Sequence, residues 1–408
     1  RALAHQLKNG VEVYGGFNGS ETALAQRDPA ANVTVLSGDL AGNDGASVFT
    51  DNAYHVVLGT GTNTTAVLDG FTVRGGNANG AGANQDRGGG ILCVSSSSPT
   101  VRRCLFTANR CSFGGGAGYI NSSGPVFIDC VFDANLGSNY GGAFDMATSV
   151  TASFDRCVFR NNSAARAGAI EIFGSSTVKV TNSLFHNNTA SGAGGGGAIY
   201  ISGSNPLIRN CTLIANTSPL TGTGGILGSG ASPSITNCIA HANVASGGAT
   251  GSAAQISAGM SVTYSLVGGG YAGVGNLNAT PLFDTCGGAT YRLAANSPGV
   301  DAGNNAGVPA GITLDLNGAP RFIDVPAVAN SGAGSAPLVD MGAIEATGDC
   351  NANLIADACD IASGASLDLN ANGIPDECEC QGGTTPFVYC GAKLNSQFCM
   401  PAVSFNGF

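Results

Sequence analysis

Oxygen-bearing side chains stand at every second position in two short stretches near the end of the sequence, one starting at Asp349 and the other at Asp368. The two stretches follow one another closely and share one pattern of residue types. Aspartate or asparagine fills positions 1, 3, 5 and 9, position 7 offers a main-chain carbonyl, and a carboxylate follows at position 12. Calcium-binding loops of proteins arrange their oxygen ligands in this order. The sequence therefore predicts two Ca²⁺ sites, with the ligands Asp349, Asn351, Asn353, Ile355, Asp357 and Asp360 in the first and Asp368, Asn370, Asn372, Ile374, Asp376 and Glu379 in the second.

The two predicted loops differ at position 6, where a calcium loop turns sharply. The second loop has Gly373 there and the first has Leu354, so we expect the first loop to bind more weakly or with a strained turn. Seven acidic residues and no Lys or Arg lie from Asp349 to Glu379, which concentrates most of the net charge of −10 in the tail. A bound cation would offset the repulsion between these carboxylates. The alternative is an Asp- and Asn-rich linker that is merely solvated.

The body that carries this tail is a repeat. Six segments, among them RRCLFTAN and IDCVFDAN, align on a Cys or Ser anchor at nearly equal spacings. The anchors are Cys104, Cys130, Cys157, Ser183, Cys211 and Cys238. Five residues after the anchors stand Asn109, Asn135, Asn162, Asn188, Asn216 and Asn243. Short alternating strands with Gly and Asn corners at a period of about 27 residues predict an all-β fold, a right-handed parallel β-helix with one coil per repeat.

Equivalent residues of successive coils should stack at the strand spacing of roughly 4.8 Å. We therefore expect Cys and Phe columns inside the coils and an Asn column at a corner, where the side-chain amide can satisfy turn backbone. The inward cysteines should form a buried thiol ladder, and these are Cys104, Cys130, Cys157, Cys211 and Cys238. The tail is expected to contain disulfides whose pairing the sequence leaves open, among Cys350, Cys359, Cys378, Cys380, Cys390 and Cys399.

A second repeated block, typified by GGAIYI, predicts an outward column on one sheet. In the alignment this column runs through Cys93, Tyr119, Asp145, Glu171, Tyr200 and Gly228. Asp145 and Glu171 would then be neighbours roughly 5 Å apart. Paired carboxylates at that separation could serve a retaining glycosidase, and the flanking Tyr119 and Tyr200 could stack on sugar rings, so these four residues are candidates for carbohydrate binding and the two acids are weak candidates for catalysis. The alternative is a solvated column that discourages association between edges.

Another column, three residues after each anchor, runs through Thr107, Asp133, Arg160, His186, Ile214 and His241. An Asp, an Arg and a His in successive coils could act as acid, clamp and base, but surface ion pairing is the commoner reason for such a run. No Ser-His-Asp or Cys-His motif is evident, and the chain has only three lysines, Lys8, Lys179 and Lys393. We therefore do not expect the chain to be an enzyme.

Composition excludes further classes of function. The 408 residues include 64 Gly and no Trp, which is typical of a turn-rich β protein. The body is nearly neutral and has no basic stripe, so nucleic acid is not expected as a partner. No apolar run approaches the roughly 18 residues of a membrane helix, so no direct membrane span is expected. Fourteen Cys suit an oxidising compartment.

Several segments carry a resemblance to known proteins. VEVYGGFNGSETALAQRDPAANVTVLSGDL, LDGFTVRGG and YRLAANSPGVDAGN resemble bacterial right-handed β-helix repeat proteins of the pectin-lyase-like superfamily. The stretch from LDLNGAPRF to VDMGAIE is similar to the choice-of-anchor Q domain, and the acidic tail resembles planctomycete-type secreted proteins, dockerins and thrombospondin type 3 repeats. The resemblance implies secretion and a fragment of a longer precursor. Because the link IASGASL is shorter than a dockerin helix, docking to a cohesin is not carried over.

These observations predict four parts of the chain. Residues 1–290 would form the β-helix, 291–346 a C-terminal cap resembling choice-of-anchor Q, 347–379 the tandem calcium loops and 380–408 the start of a truncated Cys-containing segment. We expect a secreted, extracellular or cell-surface structural or adhesive protein of a matrix or filament. Its expected partners are further copies of itself, other cell-surface proteins or polysaccharide. The alternative is a polysaccharide-binding protein, or a polysaccharide lyase or hydrolase, that uses the outward carboxylate and aromatic column.

Overall fold

The computed structural model describes residues 4–246, 251–284, 291–326, 328–346, 348–351, 353, 355–370 and 374–379. From His5 to Val267 the described chain winds into stacked coils whose strands pair in parallel. Successive coils contribute short strands to four sheets, here called sheets A to D, and the strand order within each sheet follows the chain. This is the predicted all-β, right-handed parallel β-helix.

The strands are two to four residues long. Sheet A consists of His5–Gln6, Val57–Leu58, Ile91–Cys93, Gly118–Ile120, Phe144–Met146, Ile170–Phe173, Ile199–Ser202 and Ile226–Ser229. Sheet B consists of Glu12–Tyr14, Val67–Asp69, Thr100–Arg102, Val126–Ile128, Ser153–Asp155, Lys179–Thr181, Leu207–Arg209, Ser234–Thr236 and Ser261–Thr263. Sheet C consists of Thr34–Ser37, Phe71–Arg74, Leu105–Thr107, Val131–Asp133, Val158–Arg160, Leu184–His186, Thr212–Ile214, Ile239–His241 and Leu266–Val267. Sheet D consists of Asn77–Ala78, Arg110–Cys111, Leu136–Gly137, Ser163–Ala164, Thr189–Ala190, Thr217–Ser218 and Val244–Ala245.

The remaining elements are small. Gly195–Gly196 and Gly222–Thr223 form a separate parallel pair. The described α-helices are Ser252–Gln255, Asp357–Ser363 and Asp376–Glu379, and the 3₁₀ turns are Leu24–Gln26, Asp44–Ala46 and Asn305–Gly307. None of the helices in the described part of the chain is long and apolar enough to cross a membrane.

Single left-handed residues make the sharp corners of each coil. Arg103, with φ of 48°, lies between sheets B and C, and Ala108, with φ of 53°, lies between sheets C and D. Later coils use Asp129 and Ala134, or the asparagines that tolerate this conformation best among residues with a side chain. These corners are two residues long, so short strands follow one another closely within a coil.

The predicted Phe and Cys columns are confirmed as the core. Phe106, Phe132, Phe159 and Phe185 occupy equivalent places in sheet C and are fully buried. Their rings stack with centroids 5.3, 4.8 and 4.5 Å apart down the column. The predicted thiol ladder is also present, because its five cysteines, Cys104, Cys130, Cys157, Cys211 and Cys238, are buried and free. Cys93 and Cys111, which the prediction did not include, are buried and free as well.

The predicted Asn column forms a continuous ladder of hydrogen bonds. Asn135 Oδ1 accepts from the main-chain N and from Nδ2 of Asn109, at 3.2 and 3.1 Å, and Asn135 Nδ2 donates to the carbonyl of Phe106 at 2.9 Å. The same contacts recur in the following coils down to Asn243. Gln255 ends the ladder, because its Oε1 takes the place of the next asparagine oxygen at 2.8 Å from Asn243 Nδ2.

The chain after the last coil packs in two places. Tyr271 lies against the end of the main core, and its hydroxyl donates to the carbonyl of Ser257 at 3.0 Å. Residues 291–346, the segment expected to act as a cap, pack along the flank of the coils. Asn182 Nδ2 donates to the carbonyl of Leu314 at 3.0 Å, and Asn237 Nδ2 donates to that of Asn304 at 2.9 Å. A second apolar cluster, including Leu266, Leu293 and Met341, joins this segment to sheet C.

Candidate functional site

In the first predicted calcium loop, the side chains at positions 1, 3, 5 and 12 turn toward one another. Asp349 Oδ1 accepts from the main-chain N of Asn353 at 3.1 Å. Asp360 Oδ2 accepts from Asn351 Nδ2 at 3.2 Å and from Asn353 Nδ2 at 3.0 Å. Hydrogen bonds therefore connect the residues at these four positions, and the last of them, Asp360, lies in the helix Asp357–Ser363. Position 6, Leu354, lies outside the described residues.

The second loop repeats hydrogen bonds of the first at equivalent positions. Asp357 Oδ1 accepts from Cys350 N at 2.9 Å, and Asp376 Oδ1 accepts from Leu369 N at 3.0 Å. The main-chain N of each aspartate donates to the carbonyl just before its loop at 2.7 Å, that of Gly348 for the first and Leu367 for the second. Each loop thus leads into a helix that starts at its position 9. Of the predicted ligands, Asp368, Asn370, Ile374 and Asp376 are described, whereas Asn372 and the side chain of Glu379 lie outside the described residues.

A disulfide joins the two loop–helix units. Cys350 follows the first ligand of the first loop, and it is bonded to Cys378 in the helix of the second. Ser366 Oγ also donates to Glu377 Oε1 between the units. The two sulfurs lie close to the carboxylate of Asp357, but a disulfide offers no thiolate to a metal ion. Oxygen atoms are therefore the available ligands, and a hard cation such as Ca²⁺ fits them.

Burial and like charges act together in the first loop. Burial raises the pKa of Asp357, and the nearby carboxylates of Asp349, Asp360 and Glu377 raise it further, against a hydrogen bond from Cys350 N. Asp349 and Asp360 are themselves buried, at 2% and 1% exposure. Because the sequence offers no Lys or Arg from Asp349 to Glu379, a cation is the group that would balance this charge.

Sheet A brings the predicted carbohydrate-binding candidates into one column. Asp145 pairs laterally with Tyr119 on one side and with Glu171 on the other, and Glu171 pairs with Tyr200. The expected ends of the column are wrong. Leu92 and Leu227 occupy those places, because the strands are shifted by one residue from the alignment, and such a shift turns Cys93 inward.

The column points outward but is covered. Tyr119, Asp145 and Glu171 are only 2%, 5% and 2% exposed. Glycine-rich loops that join sheet D to sheet A fold over them, and we call loops 79–90, 112–117, 138–143 and 165–169 together the strap. A Cβ atom at Gly114 would collide with the carboxylate of Asp145, so the strap backbone lies directly on that acid.

Two arginines of the strap stack on aromatic rings above the acids. The Arg87 guanidinium lies 4.2 Å from the ring centroid of Phe113 and 5.0 Å from that of Tyr119. The Arg166 guanidinium lies 4.5 Å from the ring centroid of Tyr200 and 5.1 Å from that of Tyr140. Arg166 also forms an ion pair with Glu171, with Nη2 3.3 Å from Oε1.

Burial changes the acidity of both carboxyl groups. It raises the pKa of Glu171 to about 8, with Asp145 adding to the rise and Arg166 opposing it. It raises the pKa of Asp145 to about 6, against the charges of Arg87 and Arg166. An acid that stays protonated near neutral pH and a more acidic neighbour are what general acid–base chemistry needs, but a polymer cannot reach them under the closed strap.

The third predicted column is in register along sheet C. Asp133, Arg160 and His186 are lateral neighbours, and Arg160 Nη2 lies 2.9 Å from Asp133 Oδ2. Burial lowers the pKa of His186, and the charge of Arg160 lowers it further. Ile214 separates His186 from His241. We call residues 291–346 the flank segment. A cleft of about 300 Å³ lies beside the column, between sheet C and Leu316, Asn317 and Ile344 of this segment.

Comparison with known proteins adds one finding about the coils. A family model described as "Right handed beta helix region" matches residues 42–194 and 138–281. The chain belongs to the right-handed β-helix family. No curated protein and no solved structure matches the chain. The family match covers sheets A to D over most coils and does not include the predicted calcium loops at residues 347–379.

In this β-helix family member, sequence reasoning missed the residues that cover the acidic column. Arg87 and Arg166 stand in the strap, and each lies shortly before a sheet A strand. Phe113 and Tyr140 stand in strap loops of the intervening coils and form an edge-to-face pair at 4.7 Å. The available signal was the run of glycines before each sheet A strand, since close backbone approach requires residues without a side chain.

Proposed function

We propose that this chain is an extracellular or cell-surface structural or adhesive β-helix whose tail binds two Ca²⁺ ions. The observation that carries the proposal is the pair of matching loop–helix units, in which hydrogen bonds join the residues at positions 1, 3, 5 and 12 of the first loop. Two such units in tandem, each with the same order of ligand types, are difficult to explain as a solvated linker.

The disulfide Cys350–Cys378 supports an extracellular location, because disulfides persist in oxidising compartments. The β-helix fold is consistent with a surface or extracellular protein. Its ladders of Phe, Cys and Asn make each coil support the next, so the coils form a rigid rod that suits a structural role.

In this proposal, each Ca²⁺ ion would hold the residues of one loop together. Asp349, Asn351, Asn353 and Asp360, with the main-chain carbonyl of Ile355, would hold one ion, and Asp368, Asn370, Asp376 and the carbonyl of Ile374 would contribute to the second. The ion supplies positive charge among carboxylates that otherwise repel one another. Binding would therefore fix the tail as a stiff connection beyond the coils.

The first coil offers a surface for assembly. In the described residues, strands Glu12–Tyr14 and Thr34–Ser37 each pair on one side only. Val13 and Val35 of these strands are 41% and 41% exposed. Exposed apolar side chains of this kind favour association, which supports the proposal that further copies of the chain are partners. Sedimentation of the purified protein over a range of concentrations tests this, and a monomer at every concentration would contradict it.

Calorimetric titration of Ca²⁺ into chelator-stripped protein tests the calcium proposal. We expect two saturable sites with Kd of about 10⁻⁴–10⁻³ M, the range of extracellular calcium modules. Asp349→Ala should remove the first site and leave the second, and Asp368→Ala should do the reverse. Glu12→Ala, an exposed carboxylate of the first coil, is the matched control and should retain both sites. Heat signals without saturation, or binding unchanged in both tail variants, would overturn the proposal.

A further inference from the structure

The acids of sheet A occupy an unusual environment for two neighbouring carboxylates. Asp145 and Glu171 are lateral partners in adjacent coils and are covered by the strap. Glu171 Oε2 is buried and has no hydrogen-bond partner. Among the described residues, no donor forms a hydrogen bond with the Asp145 carboxylate, which instead packs against Gly114.

The charged and titratable groups around the pair come from three elements. Sheet A contributes Tyr119 and Tyr200 on either side. The strap contributes Asp86, Arg87, Tyr140 and Arg166. Sheet D contributes the buried thiol of Cys111.

Only one of the two arginines pairs with the acids. Arg166 Nη2 lies 3.3 Å from Glu171 Oε1. Arg87 forms its ion pair with Asp86 at 3.2 Å and donates to the Tyr119 hydroxyl at 3.1 Å. The two buried carboxyl groups therefore have one ion-pair partner, while the charge of Arg87 acts on Asp145 from a longer distance and is shared with Asp86. Two ionised carboxylates with one ion-pair partner would be poorly compensated out of water, which is strongly unfavourable.

One ion pair connects the strap to the acids beneath it. The strap loops are linked to the next coil by main-chain hydrogen bonds, such as those from Gly115 N to Gly141 O and from Gly142 N to Ala167 O, each at 3.0 Å. The Arg166 side chain is the one strap group in the described residues that forms an ion pair with sheet A. Whatever changes the charge beneath the strap therefore acts directly on how firmly it stays closed.

We propose that Asp145 and Glu171 form a proton-binding latch, in which a proton held by the pair keeps the strap closed over sheet A and its loss releases the strap. With the proton bound, the pair carries one negative charge at most, and the positive charge of Arg166 balances it. The contact of Arg166 with Glu171 Oε1 persists when Glu171 holds the proton, because the carbonyl oxygen of a protonated carboxyl group still accepts a hydrogen bond. When the proton leaves, two adjacent carboxylates repel each other and draw in water. The released strap would expose a groove that contains both acids, Tyr119 and Tyr200.

The direction of the proton linkage follows from burial. The pKa of Glu171 is raised to about 8 and that of Asp145 to about 6, and in each case burial is the largest cause. A group whose pKa is raised by folding contributes stability below its ordinary pKa and loses it as the pH rises through the raised value. The strap is therefore closed in mild acid and opens progressively above about pH 8.

Hydrogen exchange at Gly115, Gly142 and Gly168 tests the latch, because their amides donate the hydrogen bonds that link the strap loops to the next coil. After correction for the intrinsic rise of exchange with pH, we expect protection in the wild type to fall by up to about tenfold per pH unit above the pKa of Glu171. Glu171→Gln mimics the protonated acid and should remove this fall. Asp133→Asn, which breaks a carboxylate–arginine pair on sheet C, is the matched control and should retain it.

Two results would overturn the latch. One is strap protection that does not depend on pH in the wild type, or that depends on pH equally in Glu171→Gln. The other comes from ¹³C NMR titration of the wild-type carboxyl groups, in which the signal that Glu171→Gln removes would titrate near the ordinary pKa of glutamate instead of well above it. The second measurement uses wild-type protein and does not depend on the folding of any variant beyond signal assignment.

Discussion

Asn162 Nδ2 donates to Asn188 Oδ1 at 2.9 Å, and the same oxygen accepts from the main-chain N of Asn162 at 3.1 Å. Asn188 in turn donates from Nδ2 to the carbonyl of Phe159 at 2.8 Å. The buried amide of Asn188 therefore accepts two hydrogen bonds from Asn162 in the preceding coil and donates one to the carbonyl of Phe159 in that same coil. Both functions of the amide are needed, since an aspartate could accept but could not donate.

Asn188→Asp should consequently destabilise the protein. A buried carboxylate would face the carbonyl of Phe159 without a hydrogen bond, at a cost of about 2–4 kcal/mol in the free energy of unfolding. Chemical denaturation measures this cost. Asn139→Asp, which makes the same change at an exposed position, is the control and should alter stability by less than about 0.5 kcal/mol. Equal stability of the two variants would contradict the role of the ladder.

Phe159 tests the stacked core. Its ring lies between those of Phe132 and Phe185, with centroids 4.8 and 4.5 Å away. Phe159→Ala should lower the free energy of unfolding by about 3–5 kcal/mol, because it removes buried contacts and leaves a cavity. Phe173→Ala is the control, since Phe173 is 47% exposed. A loss as large in Phe173→Ala would show that the effect does not come from core packing.

The sequence predicted the repeating core well, and the reason is geometric. Cys130 and Phe132 recur at fixed offsets, and in a stack of equal coils a fixed offset means direct contact. The cover over Asp145 could not be predicted in the same way. Its partners Arg87 and Arg166 lie in loops of unequal length, whose path depends on backbone packing at glycines and not on periodicity.

The same limit applies to the ends of the sheet A column. The sequence alignment placed Cys93 beside Tyr119. In the structure Leu92 pairs with Tyr119, so the strand Ile91–Cys93 is shifted by one residue from the alignment. Side chains alternate between the two faces of a strand, so one residue of shift moves Cys93 from the outward to the inward face. The inward position was predictable only from the pairing itself.

The flank segment should be more stable in mild acid than in mild alkali. Asp340 and Asp301 are buried in the same segment as the Arg321–Glu345 ion pair, with exposures of 1% and 0%. Burial raises the pKa of Asp340 to about 7 and that of Asp301 to about 6. Raised pKa values contribute stability at low pH that is lost as the pH rises through them. Hydrogen exchange at residues 338–346 should therefore show less protection at about pH 8 than at about pH 5.

Asp301→Asn gives this linkage a specific test. Asp301 Oδ1 is buried without a partner, while Oδ2 accepts from Val325 N at 3.4 Å, so an amide can keep the accepting oxygen. The variant should show a smaller pH dependence at residues 338–346 than the wild type. Glu12→Gln, which neutralises an exposed carboxylate far from this segment, should behave as the wild type. Greater protection in alkali than in acid would contradict the assignment.

The thiols of the coils should be unreactive while the protein is folded. Burial raises the pKa of Cys93 and of Cys111 to about 12, and the thiolate is the reactive form. Titration with a chromogenic disulfide reagent should show slow reaction in native buffer and rapid reaction after denaturation. Fast reaction of Cys93 or Cys111 in the native protein, located by peptide mapping after labelling, would show that the coils open.

The disulfide of the tail should increase calcium affinity if the two loop–helix units act together. Cys350 lies beside Asp349, the first proposed ligand, and its bond to Cys378 links the loop to the second unit. Preorganised ligands lose less conformational entropy when they bind an ion. The double variant Cys350→Ser with Cys378→Ser should therefore bind Ca²⁺ about tenfold more weakly, a change of about 1.4 kcal/mol. Cys111→Ala, which removes a buried thiol of the coils, is the control for loss of a cysteine, and unchanged affinity in the double variant would mean that each loop binds its ion independently of the disulfide.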